Sequence, residues 1–213
     1  MEGVDHVVDL VVPIKRLDRA KSRLRGAVAA PHADLVLALL LDTVTAAASA
    51  TGVRRILVVC EDSRVPPVLA GTGVECVDER GLPGLNEALS FGAGVLRARD
   101  RRSVVGALQA DLPALRPADL TEAVARAGGR RAFCADRSGT GTTLLLSAAG
   151  GPLTPRFGAG SAGAHAGSGA VAVGAGLASL RCDVDTPGDL GVAAALGVGP
   201  KTSALAGRKP TFT

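Results

Sequence analysis

Three groups of residues carry the chemistry this chain can offer. Ala110-Asp111-Leu112-Pro113 closes the apolar run at 104–108, so a strand-like segment ends on a carboxylate and turns at once through proline. In Cys182-Asp183-Val184-Asp185-Thr186-Pro187, two more carboxylates leave an apolar run on alternate residues. The third group is cationic: Pro13-Ile14-Lys15 ends an N-terminal apolar run and leads into Ala20-Lys21-Ser22-Arg23-Leu24. Carboxylates are ligands for hard divalent cations and lysines offset phosphate charge, so together they are the parts of a magnesium–triphosphate site. Each motif also has a plainer use. An Asp before Leu-Pro serves as a turn residue, and Asp183 or Asp185 could cap the helix that Thr186-Pro187 announces. Asp189 suits a helix first turn. Lys15, Arg16, Arg19, Lys21, Arg23 and Arg25 could form no more than a solvated basic face. Their joint placement favours a nucleotide.

Such groups need a scaffold that delivers them to one place. Apolar runs predict strands at 7–12, 56–60, 74–77, 104–108, 132–135, 142–147 and 180–184. Amphipathic stretches predict helices at 33–50, 85–98, 118–127 and 187–196, the last with Pro187 in its first turn. Strands separated by helices of this length imply βαβ units and an α/β fold with a mostly parallel, doubly wound sheet. Ligands bind such sheets beyond the carboxyl ends of the strands, where Lys15, Asp111 and Asp185 are all expected.

At 213 residues the chain suits a single domain over 1–198, with 199–213 reading as a disordered tail. There is no Trp or Tyr and there are only four Phe, which weighs against a single-stranded nucleic-acid binder built on stacking. A net charge of +4 suits small anionic partners and is too mild for a nucleic-acid footprint. Cys60, Cys76, Cys134 and Cys182 are far apart in sequence and lie in or beside apolar runs, so they read as buried free thiols, not as a zinc site or disulfide framework. No secretory h-region follows Glu2 and Asp5, and the apolar stretch at 35–41, bounded by Asp34 and Asp42, is too short to span a membrane. A cytoplasmic protein is expected. The small-residue segment 150–169 reads either as a plain loop or helix, or as an anion cradle in which Ser161 caps the next helix. His165 within it reads as packing or surface.

Taken in order, Val11-Val12-Pro13-Ile14-Lys15, Ala20-Lys21-Ser22-Arg23-Leu24, Gly84-Leu85-Asn86-Glu87-Ala88-Leu89, Ala110-Asp111-Leu112-Pro113, Phe157-Gly158-Ala159-Gly160-Ser161 and Asp183-Val184-Asp185-Thr186-Pro187 resemble the guanylyltransferases of coenzyme F420 biosynthesis. Those enzymes act on phosphoenolpyruvate or 2-phospho-L-lactate, and the resemblance covers residues 7–197. It implies a GT-A-like nucleotidyltransferase fold. The Gly-rich, Arg-containing first loop of the sugar-nucleotide and molybdopterin branches is replaced here by Pro13-Ile14-Lys15, which argues against those branches.

The implied reaction joins GTP to a phosphorylated three-carbon acid and releases pyrophosphate. By resemblance, Asp111, Asp183 and Asp185 hold Mg²⁺, and Lys15 and Lys21 act with Asp111 at the triphosphate. Pro13, Gly84 and Asn86 complete the nucleotide site, with Asn86 near the base, while Thr143, Gly158 and Ser161 hold the acid. The Ala-, Gly- and Arg-rich composition suggests a high-GC genome and favours phosphoenolpyruvate. Hand-over of the unstable product to the next enzyme of the pathway is also implied. A nucleotidyltransferase using CTP or a sugar phosphate is the competing enzyme. A non-catalytic nucleotide-binding module is the competing class, and the paired acids argue against it.

Overall fold

The computed structural model describes residues 7–79 and 81–206. Its centre is β1 (Val8–Ile14), buried at every position, as expected for a strand covered on both faces. It pairs in parallel with β2 (Val53–Cys60) and β4 (Val104–Leu108), and β2 pairs in parallel with β3 (Glu75–Asp78). Beyond β4 lie β6 (Thr142–Leu146), β5 (Ala132–Ala135) and β7 (Val171–Ala172), completing the order β3-β2-β1-β4-β6-β5-β7. Alternate side chains of β1 feed two cores. Leu10 and Val12 meet α1 (His32–Ala48), α2 (Val65–Leu69) and α4 (Pro117–Ala127). Val11 meets α3 (Leu85–Arg99) and, through Phe133 and Leu145, α5 (Ser161–Gly167). The mostly parallel, two-faced α/β architecture follows from that alternation.

Two details of β1 and its neighbours shape the site. Its pairing with β4 ends at Val11–Ala107, whereas its pairing with β2 continues to Ile14–Cys60. Pro13, which has no N–H to donate, therefore falls where the β4 ladder has stopped, and a gap opens between the two strand ends. Gly92 lets α3 lie close to the sheet, since a Cβ there would stand 2.6 Å from a methyl of Val11 and 2.8 Å from one of Val59. That close seat brings Leu85, the first residue of α3, to the rim of the gap.

The structure departs from the sequence expectations in three places. Strand β6 is antiparallel to both neighbours. Only a short turn separates it from β5, closed by the Asp136 N–H on the Gly141 carbonyl at 3.1 Å and far too short for a parallel crossover. The segment 180–184 is not a strand. Leu180, Cys182 and Val184 are buried alternately, as a strand's would be, but Cys182 and Val184 pack among Leu35, Leu39 and Leu190, not in the sheet. Lastly, 200–206 is not disordered: Pro200–Ala206 forms α7, which packs on α1 and whose first amides donate to Asp42.

Candidate active site

The gap at the carboxyl ends of β1 and β4 is a cleft of about 370 Å³. Ile14 and Lys15 enter it from β1, Gln109 to Asp111 from β4, and Lys21 to Arg23 from the loop after β1. Asp111 is buried, and its main chain is fixed on both sides. Its carbonyl accepts the Val184 N–H at 3.0 Å, and the next N–H, of Leu112, donates to Thr43 Oγ1 at 2.9 Å. The loop carrying Lys21 is tied down by the Leu17 N–H on Asp62 at 3.0 Å and by His32 Nε2 donating to the Ala20 carbonyl at 2.6 Å.

Lys21 itself has φ 52° and ψ 42°, a left-handed conformation that costs a residue with a side chain. The conformation turns its ammonium onto the carboxylates of Asp111 and Asp185, which it bonds together. Burial by itself would lower the Lys21 pKa, but the charges of Asp111 and Asp185 outweigh it and hold the ammonium well above its usual range. Burial and then the Asp111 charge push the neighbouring Asp183 carboxyl up to about 7. The capping function falls to other residues. Thr186 is the N-cap of α6 (Pro187–Leu196) and Asp189 completes a capping box, so neither Asp183 nor Asp185 caps the helix.

Beneath the cleft, the Gln109 N–H donates to the Thr143 carbonyl at 2.9 Å. At the other rim, Asn86 clasps Phe157 at two points: its Nδ2 donates to the Phe157 carbonyl at 3.1 Å and its Oδ1 accepts the Phe157 N–H at 2.8 Å. His165 fixes the same loop from below. Its Nε2 accepts the Arg156 N–H at 3.0 Å, so the ring is neutral and Nδ1 donates to Thr142 Oγ1 at 2.9 Å. The ring stands edge-on to Phe157 at 5.1 Å.

A model of the guanylyl transferase family described as CofC-like matches residues 8–168. The chain belongs to this CofC-like family. A phosphoenolpyruvate guanylyltransferase of Thermomonospora curvata is 47% identical over 206 residues, covering 96% of this chain and 90% of that protein. One from Geodermatophilus obscurus is 51% identical over 205 residues, covering 93% of each chain. Among solved structures, a 4-diphosphocytidyl-2C-methyl-D-erythritol synthase superposes with a TM-score of 0.63 at 15% identity, over 90% of this chain and 99% of that one. A nucleotidyl transferase from Methanothermobacter gives 0.58 at 18% identity, over 89% and 97%. These last two show the nucleotidyltransferase fold alone.

Within this CofC-like chain, Pro13, Lys15, Lys21, Asp111 and Asp185 line the first cleft, and Gly84 lines a hollow that adjoins it. Asp185 arrives from the extended segment before α6 and not from a strand end. Thr143, Gly158, Ser161 and Asn86 line neither cleft. The Thr143 side chain is fully buried, with its hydroxyl on the Cys134 carbonyl at 3.4 Å. Ser161 is not a cap: Gly160 holds that position, and the Ser161 and Ala162 amides are already bonded to the Gly158 and Thr140 carbonyls. The Asn86 amide bonds the Phe157 main chain through both its oxygen and its nitrogen. The four thiols are free; Cys60, Cys134 and Cys182 are buried and Cys76 is partly so.

Sequence reasoning missed Thr43, Gln109 and the clasp role of Asn86. Asn86 and Phe157 are separated by 71 positions, a partnership that no local pattern reveals.

Proposed function

We propose that the chain is a phosphoenolpyruvate guanylyltransferase of coenzyme F420 biosynthesis, transferring GMP from GTP to phosphoenolpyruvate with release of pyrophosphate. The observation that carries this reading is the Lys21 ammonium held between Asp111 and Asp185 over the gap between β1 and β4. Its support is the agreement of full-length relatives on that activity.

In the proposed reaction an oxygen of the acid's phosphate attacks the α-phosphorus of GTP in line. The new P–O bond forms as the bond to the β-phosphate oxygen breaks, and pyrophosphate leaves. No protein nucleophile is required, so catalysis rests on positioning and on charge. Lys15 and Lys21 offset the triphosphate. Gly158, exposed on the loop clasped by Asn86 and His165, is the residue of that loop open to the acid, while Ser161 is buried behind it and Thr143 supports Gln109 from beneath.

The residues present fit a divalent metal. Asp111 Oδ1 is buried without a hydrogen-bond partner, and Asp185 and Asp183 add hard oxygen donors beside it. Among the described residues, however, no group of three or more His, Cys, Asp or Glu forms a metal site by itself. Asp111 and Asp185, with Asp183 behind, would therefore share Mg²⁺ with the phosphate oxygens. Such an ion neutralises charge on the phosphates when bound.

The decisive experiment incubates the protein with GTP, Mg²⁺ and either phosphoenolpyruvate or 2-phospho-L-lactate, following pyrophosphate and the mass of the product. Guanylylated phosphoenolpyruvate is expected. Turnover only with 2-phospho-L-lactate would replace the acid, and turnover only with CTP or a sugar phosphate would overturn the reading.

A further inference from the structure

The first cleft continues toward β2 and β3 into a hollow of about 460 Å³, and the two share Pro13, Ile14, Lys15 and Leu85. Leu82 and Leu85 give the hollow apolar walls, and Glu79 lines it directly after β3. The Glu79 main chain is fixed by its N–H on the Cys60 carbonyl at 3.0 Å. The residue is 9% exposed, and among the described residues no hydrogen bond or ion pair engages its carboxylate. Burial and then the Glu61 charge raise its carboxyl above the usual range, with Lys15 pulling the other way. The side chain is largely buried, yet its carboxylate oxygens are not among the fully buried atoms without a partner, so they stay open to the hollow and a ligand that brings donors would engage them there.

We propose that this hollow takes the nucleobase and that Glu79 reads guanine, its two oxygens accepting from N1–H and the exocyclic 2-amino group. The match is specific to that base. Guanine offers two adjacent donors on one edge, which is the geometry a carboxylate accepts from. Adenine and cytosine each present a ring-nitrogen lone pair at the matching position, and uracil flanks its single N–H with two carbonyls. Leu82, Leu85 and Pro13 supply the apolar contact for the ring faces that aromatic residues would supply elsewhere. The shared Lys15 then lies where the base subsite meets the phosphate cleft. The inference rests on the guanylyl-transfer reading of the adjoining cleft and assigns its base specificity to a residue that reading does not use.

The test is calorimetric binding of GDP, IDP and ADP in Mg²⁺ to the unaltered protein and to Glu79→Gln. IDP lacks only the 2-amino group. The unaltered protein should bind GDP at least about tenfold more tightly than IDP, the usual effect of removing one hydrogen bond to a charged group. Glu79→Gln should erase the difference while its thermal melt stays close to that of the parent. Equal affinities for GDP and IDP in the unaltered protein overturn the assignment, as does a Gln variant that keeps the preference. Should the variant fail to fold, the ratio in the unaltered protein still decides. Absence of turnover with GTP and phosphoenolpyruvate would count against the reaction and leave this binding result standing.

Discussion

Lys21 and Thr154 are the non-glycine residues with positive φ among those described, and of the two Lys21 lies at the cleft. A strained backbone that aims one cation at two acids fits the proposed function, since a relaxed loop would bury its side chains equally well. Asp111 is the acid most committed to it, at 7% side-chain exposure, against 54% for Asp185. Asp111→Asn preserves shape and leaves Lys21 its bond to Asp185. The fold should therefore persist while kcat for GTP falls about 100-fold or more, the scale of losing one electrostatic contact to a transferring phosphoryl group. Full turnover by this variant in Mg²⁺ would remove Asp111 from the mechanism. These acids and lysines were legible in the sequence because each follows an apolar run and a Pro or small residue marks the turn. Glu79 was not, because it looks no different from its acidic neighbours Glu75 and Asp78 until the chain is folded.

At the scale of elements, α5 and the loop before it depend on a neutral imidazole. Burial, reinforced by the charges of Arg131 and Arg156, lowers the His165 pKa to about 4 from an ordinary 6.5. Protonating Nε2 would also break its bond from the Arg156 N–H. The unfolded chain therefore takes up a proton that the folded chain refuses between pH 6.5 and 4. Stability contributed by His165 is full above 6.5, declines through that window and is lost below about 4, a change of about 3 kcal/mol. Urea titrations of the parent and of His165→Gln across pH 7 to 4.5 should show the parent losing more stability. Parallel curves would mean that the ring titrates normally. The sequence marked His165 as packing or surface. What it could not show was that both ring nitrogens are engaged, because Thr142 and the Arg156 amide meet it only after β6 and α5 have docked. The segment 180–184 teaches the converse. Its period-two burial is the strand signal, but its buried side chains pack on α1 and α6, and the segment joins no ladder of the sheet among the described residues.

At the scale of the molecule, the two-core, mostly parallel sheet was readable from the spacing of apolar runs. The antiparallel β6 was readable in principle from the brevity of the β5–β6 turn. Close packing is less visible in sequence, and Gly92 shows why it matters. Gly92→Val would drive a branched side chain into Val11 and Val59, costing about 1–3 kcal/mol and lifting the start of α3 away from the rim. Chemical denaturation should show that loss together with a weaker apparent affinity for GTP. Unchanged values for both would mean that α3 has more room than its seat on β1 suggests.

Asp42 and Thr43 are adjacent on α1 yet serve opposite ends of the protein's business. Asp42, buried, holds the Lys201 and Thr202 amides of α7, and Thr43 holds the Leu112 amide next to Asp111. A protease cut at Gly197 or Gly199 would thus do more than shorten the chain. With α7 released, the Asp42 carboxylate must turn outward to find water, and the helical turn that moves with it carries the hydroxyl that pins the Leu112 amide next to Asp111. Preparations that lose those last residues in storage should fade in activity before they unfold, with the damage arriving from a helix that lines neither cleft.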